Sequence, residues 1–185
     1  MSNLQGWLNI YKPVGISSFA VVRKIKKKFQ INKVGHGGTL DPLAEGVIPI
    51  AIGKATKLIP FINNEMKEYE FEIKWGEQTS TDDAEGETIC TSNYIPSAEE
   101  IKNKLKEFIG EIFQKPPRAS AIKIDGKRAY RLFRENKDFE IKEKKVFIHS
   151  AEIIDLSNPL IAKIRIKCGK GFYIRSFARD FAESL

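Results

Sequence analysis

Residues 68–75 read EYEFEIKW. Apolar and charged side chains alternate here without a break, with Tyr69, Phe71, Ile73 and Trp75 on one side. That is the period of a strand buried on one face. The pattern returns at 160–168, where Leu160, Ala162, Ile164, Ile166 and Cys168 alternate largely with Lys and Arg. Residues 144–154 read as its partner strand, joined to it through a Ser-Asn-Pro turn. Between these strands the period changes. Pro96 precedes Ser97-Ala-Glu-Glu100, a capping-box pattern. It predicts a helix with core face Ile101, Leu105, Phe108, Ile109 and Ile112, broken at Lys115-Pro-Pro. A second helical face runs through positions 174, 177, 178, 181, 182 and 185.

The N-terminal third has the same mixture. Residues 7–11 predict a short strand ending at Lys12-Pro13, and Val14-Gly15 turns the chain. Ser17 or Ser18 can cap a helix to about Phe29, with Val22, Ile25 and Phe29 as its buried stripe. Arg23, Lys24, Lys26, Lys27 and Lys28 occupy its other faces. Residues 34–46 are rich in Gly around an Asp-Pro pair and predict mostly loop, followed by a strand from Val47 to Ile52. Residues 115–134 hold seven basic residues and one acid, Asp125, and predict a loop or hairpin with a helical end near 128–134. Strands and helices in mixed order make the fold class α+β.

At 185 residues the chain is long enough for one ordinary domain with a real core. Its net charge of +7 is localised: residues 1–60 carry nine Lys or Arg against two acids, and the remainder is balanced. Such asymmetry suits an acidic partner such as nucleic acid, or else a solvated basic helix face. No run of 18 apolar residues is present, so no membrane partner is expected. The first fifteen residues lack the apolar core of a secretory signal, and Cys90 and Cys168 form no redox or metal pair. Together these predict a reduced, cytoplasmic protein.

Several chemistries are excluded by spacing. His36, His149, Cys90 and Cys168 have no metal-ligand pattern. Gly169-Lys-Gly is no phosphate-binding P-loop, GxSxG is absent, and Gly35-His-Gly-Gly is too short for a dinucleotide fingerprint. What remains is Asp41 in GHGGTLDPLAEG (35–46), an acid in a glycine-rich loop stiffened by Pro42. A carboxylate held there can serve as nucleophile or base. It can equally be a turn residue, as Asp before Pro often is.

The longer stretch GHGGTLDPLAEGVIPIAIGKATK (35–57) closely resembles the catalytic motif of the TruB family of bacterial tRNA pseudouridine-55 synthases. YKPVGISS (11–18) is similar to the family's N-terminal motif, and KEYEFEIKWGEQTSTDDAEG (67–86) to its tyrosine strand and following loop. PPRASAIKIDGKRAYRLFR (116–134) resembles its RNA-gripping thumb, and GKGFYIRSFARD (169–180) its arginine strand–helix junction. Five motifs in order make a far more specific match than one short pattern.

The resemblance implies a pseudouridine synthase fold, a mixed and largely antiparallel sheet flanked by helices, with a thumb segment at about 115–140. It implies isomerisation of a T-loop uridine of tRNA to pseudouridine by base flipping, without cofactor and without metal, by a monomer that grips the T arm. Asp41 takes the place of the nucleophile. Tyr69 takes that of the tyrosine that packs on the target base, and Arg175 that of the arginine paired with the aspartate. His36 matches the histidine that holds the flipped T loop, and Tyr173 and Lys12 lie in motifs bordering the pocket. A carboxylate taken out of water resists ionisation, and a guanidinium beside it opposes that effect. A non-catalytic RNA-binding module on the same scaffold is the alternative, and a guide-RNA-dependent branch of the family a third. Members of the family continue past the segment matching 174–185, often into a PUA-type domain. The chain is therefore expected to be a catalytic domain incomplete at its C-terminal end, weakened or inactive by itself.

Overall fold

The computed structural model describes residues 4–62 and 66–185. The chain divides into two compact units, residues 1–65 and 66–185.

The first unit is a three-stranded antiparallel sheet carrying one long helix. Strand β1 (Gly6–Lys12) leads into helix α1 (Ser18–Phe29), then β2 (Val34–His36) and β3 (Gly46–Ile52). A 3-10 turn at Gly53–Leu58 and the short helix α2 (Ile59–Ile62) follow. The sheet order is β1-β3-β2, with Ile10 opposite Ile48 and Leu8 opposite Ile50. Side chains of a strand alternate between faces, so Ile48, Ile50 and Ile52 all point to one side. They are buried there with Val21, Val22, Ile25 and Ile31. Ser17 caps α1, its hydroxyl accepting from Ala20 N at 3.1 Å, and Gln30 ends it in the left-handed region.

One expectation is corrected here. The buried stripe of α1 is Val21, Val22 and Ile25, while Phe29 is 40% exposed with the Lys28 ammonium over its ring. Val21 and Ile25 are one helical turn apart, and Phe29 is the last residue of the helix. Residues 34–46 are mostly loop as expected, with the short strand β2 at 34–36 and Gly46 opening β3. The glycines that suggested a loop serve close packing. A Cβ on Gly35 would lie 2.7 Å from Ile59 Cδ1, and one on Gly37 would lie 2.6 Å from Ile62 Cδ1.

The second unit contains β4 (Lys67–Lys74), β5 (Glu77–Thr79), β6 (Thr88–Thr91), α3 (Ala98–Glu107) and β7 (Gly110–Gln114). Then come β8 (Lys123–Ile124), β9 (Lys127–Arg128), α4 (Ala129–Arg134), β10 (Lys144–Asp155), β11 (Ile161–Cys168) and α5 (Ile174–Glu183). Four strands form an antiparallel sheet in the order β4-β11-β10-β7, with Tyr69 opposite Ile166 and Phe71 opposite Ile164. The predicted alternation of β4 and β11 holds in register. Ile73, Ala162, Ile164, Ile166 and Cys168 are buried with Ile101 and Leu105 of α3 and Phe177 and Phe181 of α5. Leu160 lies outside β11 and is exposed. Phe177 and Phe181 stack at 5.4 Å, and Phe108 meets both edge-on at 5.4 Å. On the opposite face Arg165 bridges Glu70 and Glu152 across three strands. Such exposed pairs add little to stability.

The capping box is present, with Ser97 Oγ accepting from Glu100 N and the Glu100 carboxylate accepting from Ser97 N. Hydrogen bonds donated by the Ser97 hydroxyl, then by the Tyr94 hydroxyl and Ser97 N, hold the Glu100 carboxyl down at about 2. The predicted length of this helix is corrected. It ends at Glu107, not at Lys115, because Gly110 turns the chain at φ +108° into strand β7. Ile109 is then exposed and Ile112 is a strand residue opposite Val146. Residues 78–87 join β5 to β6 as a hairpin.

The two thiols differ sharply. Cys168 is fully buried in the sheet and burial pushes its thiol up to about 12, while Cys90 is exposed. A thiol-alkylating reagent at neutral pH is therefore expected to modify one cysteine in the folded protein and two after denaturation. Intact mass spectrometry reads the count, and rapid native modification of Cys168 would contradict this packing.

Candidate functional site

In the first unit the site is built around residues 36–46. Lys12 is 0% exposed, and its ammonium donates to Pro13 O and Ile16 O, both at 2.8 Å, and to Pro42 O at 3.4 Å. Gly15 N donates to the same Pro42 carbonyl at 2.8 Å. Ser18 is buried, and its hydroxyl donates to Leu40 O and accepts from Leu40 N, each at 2.9 Å. The residues on both sides of Asp41 are thus pinned by the segment 12–18. Asp41 itself is half-buried, and its carbonyl accepts from Ala44 N, closing the turn through Pro42. Burial lowers the Lys12 ammonium from its ordinary value, opposed first by the charge of Asp41 and then by Glu45.

His36 closes β2 at the entrance to this loop. Its Nδ1 lies 2.5 Å from Gly38 O. A carbonyl only accepts, so Nδ1 carries the proton, and in the neutral ring Nε2 is left as an acceptor.

In the second unit Tyr69 is half-buried on β4 opposite Ile166. Tyr173 and Arg175 lie together at the start of α5. The Arg175 guanidinium donates to Thr81 O at 2.9 Å and Ala119 O at 3.3 Å, and Nη1 lies 3.3 Å from Asp83 Oδ2. Asp83 is itself oriented: its Oδ1 accepts from Thr81 Oγ1 at 2.6 Å and from Glu85 N at 3.0 Å. One turn along, Arg179 donates to Asp82 Oδ2, Asp180 Oδ1 and Lys115 O within 2.8–2.9 Å. Burial raises the carboxyls of Asp82 and Asp180, and the Arg179 charge opposes this. Asp82 holds a left-handed backbone at φ +56°.

These contacts include groups that the sequence reading left without a role. Asp82 and Asp83 seat Arg179 and Arg175. Gln114 and Ser176, both buried, bind backbone of the 173–176 and 114–119 segments. The basic segment 115–134 forms the β8–β9 hairpin and α4, with Lys123, Lys127, Arg128, Arg131 and Arg134 exposed. Arg118 is engaged internally, stacked 4.4 Å over the Phe139 ring.

Among the described residues, no group of three or more His, Cys, Asp or Glu is gathered as for a metal, and no helix is long and apolar enough to cross a membrane.

Residues 26–174 match the family model described as TruB family pseudouridylate synthase (N terminal domain). The chain is 45% identical over 183 residues to tRNA pseudouridine synthase B of Ruegeria pomeroyi, covering 99% of this chain and 60% of that one. It is 49% identical over 183 residues to the protein of the same name from Wolbachia pipientis subsp. Culex pipiens, covering 98% and 52%. It therefore spans roughly half to three fifths of the length of these curated relatives. Among solved structures it is similar to a chain of a Cbf5-Nop10-Gar1 complex, with TM-score 0.72 and 29% identity over 97% of this chain and 44% of that one. A second is an H/ACA RNP bound to a substrate RNA containing 2′-deoxyuridine, with TM-score 0.70 and 26% identity over 97% and 43%. The α+β class and largely antiparallel sheets flanked by helices agree with these neighbours. On the family match and the identity along almost its whole length, the chain belongs to the TruB family of pseudouridylate synthases.

Proposed function

We propose that residues 1–185 form the catalytic domain, with 115–140 as its thumb, of an enzyme that isomerises a T-loop uridine of tRNA to pseudouridine. The bond from N1 of the base to C1′ breaks and a bond from C5 to C1′ forms. C5 loses a proton and N1 gains one, so nothing is oxidised or reduced and no cofactor is consumed. Asp41 is the nucleophile: its carboxylate forms a transient covalent bond to the nucleotide and is released intact when the new glycosidic bond closes. The observation that carries this reading is the seating of Asp41, whose two neighbours are held by Lys12, Gly15 and Ser18. A turn residue needs no such cradle, whereas a nucleophile gains from being fixed near its attack geometry.

The other residues take roles suited to their chemistry. Extruding a base costs a few kcal/mol, and stacking on an aromatic ring returns roughly 1–3 kcal/mol. Tyr69 supplies that ring. His36, with Nε2 free to accept, holds the rearranged loop. Tyr173 lines the base pocket, Lys12 fixes the nucleophile's loop, and Arg175 orients the Asp41 carboxylate. Exposed cations of α1 and of the thumb contact phosphates and set the orientation of the RNA.

The test is release of tritium from C5-labelled uridine in a T-arm RNA by the full-length protein. Stoichiometric release is expected. Tight binding without release would leave an RNA-binding module in its place. Affinity for the T arm is expected to fall steeply between 50 and 200 mM salt, by about 10³-fold if some six phosphates are neutralised. Filter binding over that range checks it, and an affinity unmoved by salt would remove the phosphate-gripping role of these cations.

A further inference from the structure

Arg175 sits at the second position of a helix whose start has no side-chain cap and no acid in its first turn. The chain reaches that start through Gly169-Lys-Gly171, with Gly171 at φ +80°, a stretch with little stiffness of its own. What fixes its direction comes from elsewhere in the sequence. Gln114, the last residue of β7, is 1% exposed. Its Oε1 accepts from Tyr173 N at 3.0 Å and its Nε2 donates to Tyr173 O at 3.1 Å. Both backbone polar groups of one residue are thereby bound by one planar amide, as a neighbouring strand would bind them. The same segment makes three more bonds to α5. Ser176 Oγ and Arg179 Nη2 both donate to Lys115 O at 2.8 Å, and Arg175 Nη2 reaches Ala119 O. Pro116 and Pro117, fully buried between these anchors, remove backbone freedom.

We propose that Gln114 is a positioning residue for Arg175 and Tyr173, acting through the backbone of Tyr173, and that it couples the base of the thumb to the arginine. This rests on the isomerase reading above. Gln114 touches no substrate in this role, so its loss should appear in turnover and not in RNA affinity.

The experiment compares full-length wild type with Gln114→Leu and Gln114→Glu. Leucine is similar in size and makes neither bond. Its kcat is expected to fall about ten- to a hundredfold, as for a group displaced by about an ångström, with KM for T-arm RNA within about twofold. Glutamate keeps the acceptor for Tyr173 N but, when ionised, sets a charge against Tyr173 O. Protonated, it restores the donor. The kcat of Gln114→Glu relative to wild type is therefore expected to rise as pH falls from 8 to 6, which a merely structural loss would not produce. Hydrogen exchange of the Tyr173 amide should quicken at least about tenfold in Gln114→Leu. Wild-type kcat in both variants would overturn the proposal. So would a defect confined to KM, or a loss in Gln114→Glu that does not vary with pH. A wild-type protein that binds RNA without releasing tritium overturns the isomerase reading itself, and is recognised without any variant.

Discussion

Asp41→Asn is expected to abolish turnover, with a fall in single-turnover rate of at least about 10⁴-fold. The substitution keeps shape and hydrogen-bonding size but removes the nucleophilic oxygen anion, and an amide forms no comparable transient ester. The hydrogen bonds that Lys12, Gly15 and Ser18 make to this loop run through the backbone of Leu40 and Pro42, not through the side chain of residue 41. The loop should therefore keep its course, and affinity for T-arm RNA should stay within about threefold, since phosphate contacts dominate affinity. Rapid-quench tritium release with parallel filter binding separates the two effects. Asp41→Ala should behave alike, which guards against recovery of the carboxylate by deamidation. A residual rate within tenfold of wild type would make Asp41 the turn residue that its Asp-Pro context also allows.

Arg175→Lys is expected to lower kcat by about 10²–10³-fold, with little change in KM for RNA. Both residues carry one positive charge, so any large loss reports geometry. The guanidinium has nitrogens at two ends, and here it reaches Thr81 O, Ala119 O and Asp83 in three directions. An ammonium on a flexible stem cannot make those bonds from one point and still orient a second group. Asp83 is fixed by Thr81 and Glu85, so it offers an acceptor that lysine meets only by moving. Thermal stability should fall as well, because lysine leaves some of these largely buried acceptors unpaired. Steady-state kinetics on T-arm RNA, with melting followed by circular dichroism, checks both halves. Full activity in the lysine variant would remove the orienting role assigned to Arg175.

The parts of the fold that were legible are those in which one element's pattern suffices. Tyr69 to Trp75 alternates because one face of β4 is covered by α3 and α5 and the other by water. Phe177 and Phe181 lie one turn apart on the covered side of α5, and Ser97 with Glu100 marks the start of α3 by local bonds alone. The misreadings share a different cause. α3 stops early because Gly110 takes a positive φ, which no hydrophobic period records. β2 was hidden by glycines whose purpose is the nearness of Ile59 and Ile62.

The candidate site divides in the same way. Asp41 was visible as an acid in a glycine loop, but its chemistry came from family resemblance, since the Ser18–Leu40 and Lys12–Pro42 bonds span 22 and 30 residues. Asp82 and Asp83 had no visible role because the residues they hold, Arg179 and Arg175, lie more than ninety positions away. Gln114 had no local signal at all, because its partner is the backbone of Tyr173.

The central claim is that Asp41 makes this chain an isomerase of uridine in RNA, and nucleoside analysis of the product tests it most directly. T-arm RNA would be incubated with excess full-length protein, digested to nucleosides and separated by chromatography. The account predicts one pseudouridine per RNA with wild type at unchanged mass, and none with Asp41→Asn although the RNA is bound. Unaltered uridine after binding to wild type, or pseudouridine formed by Asp41→Asn at a comparable rate, would contradict it.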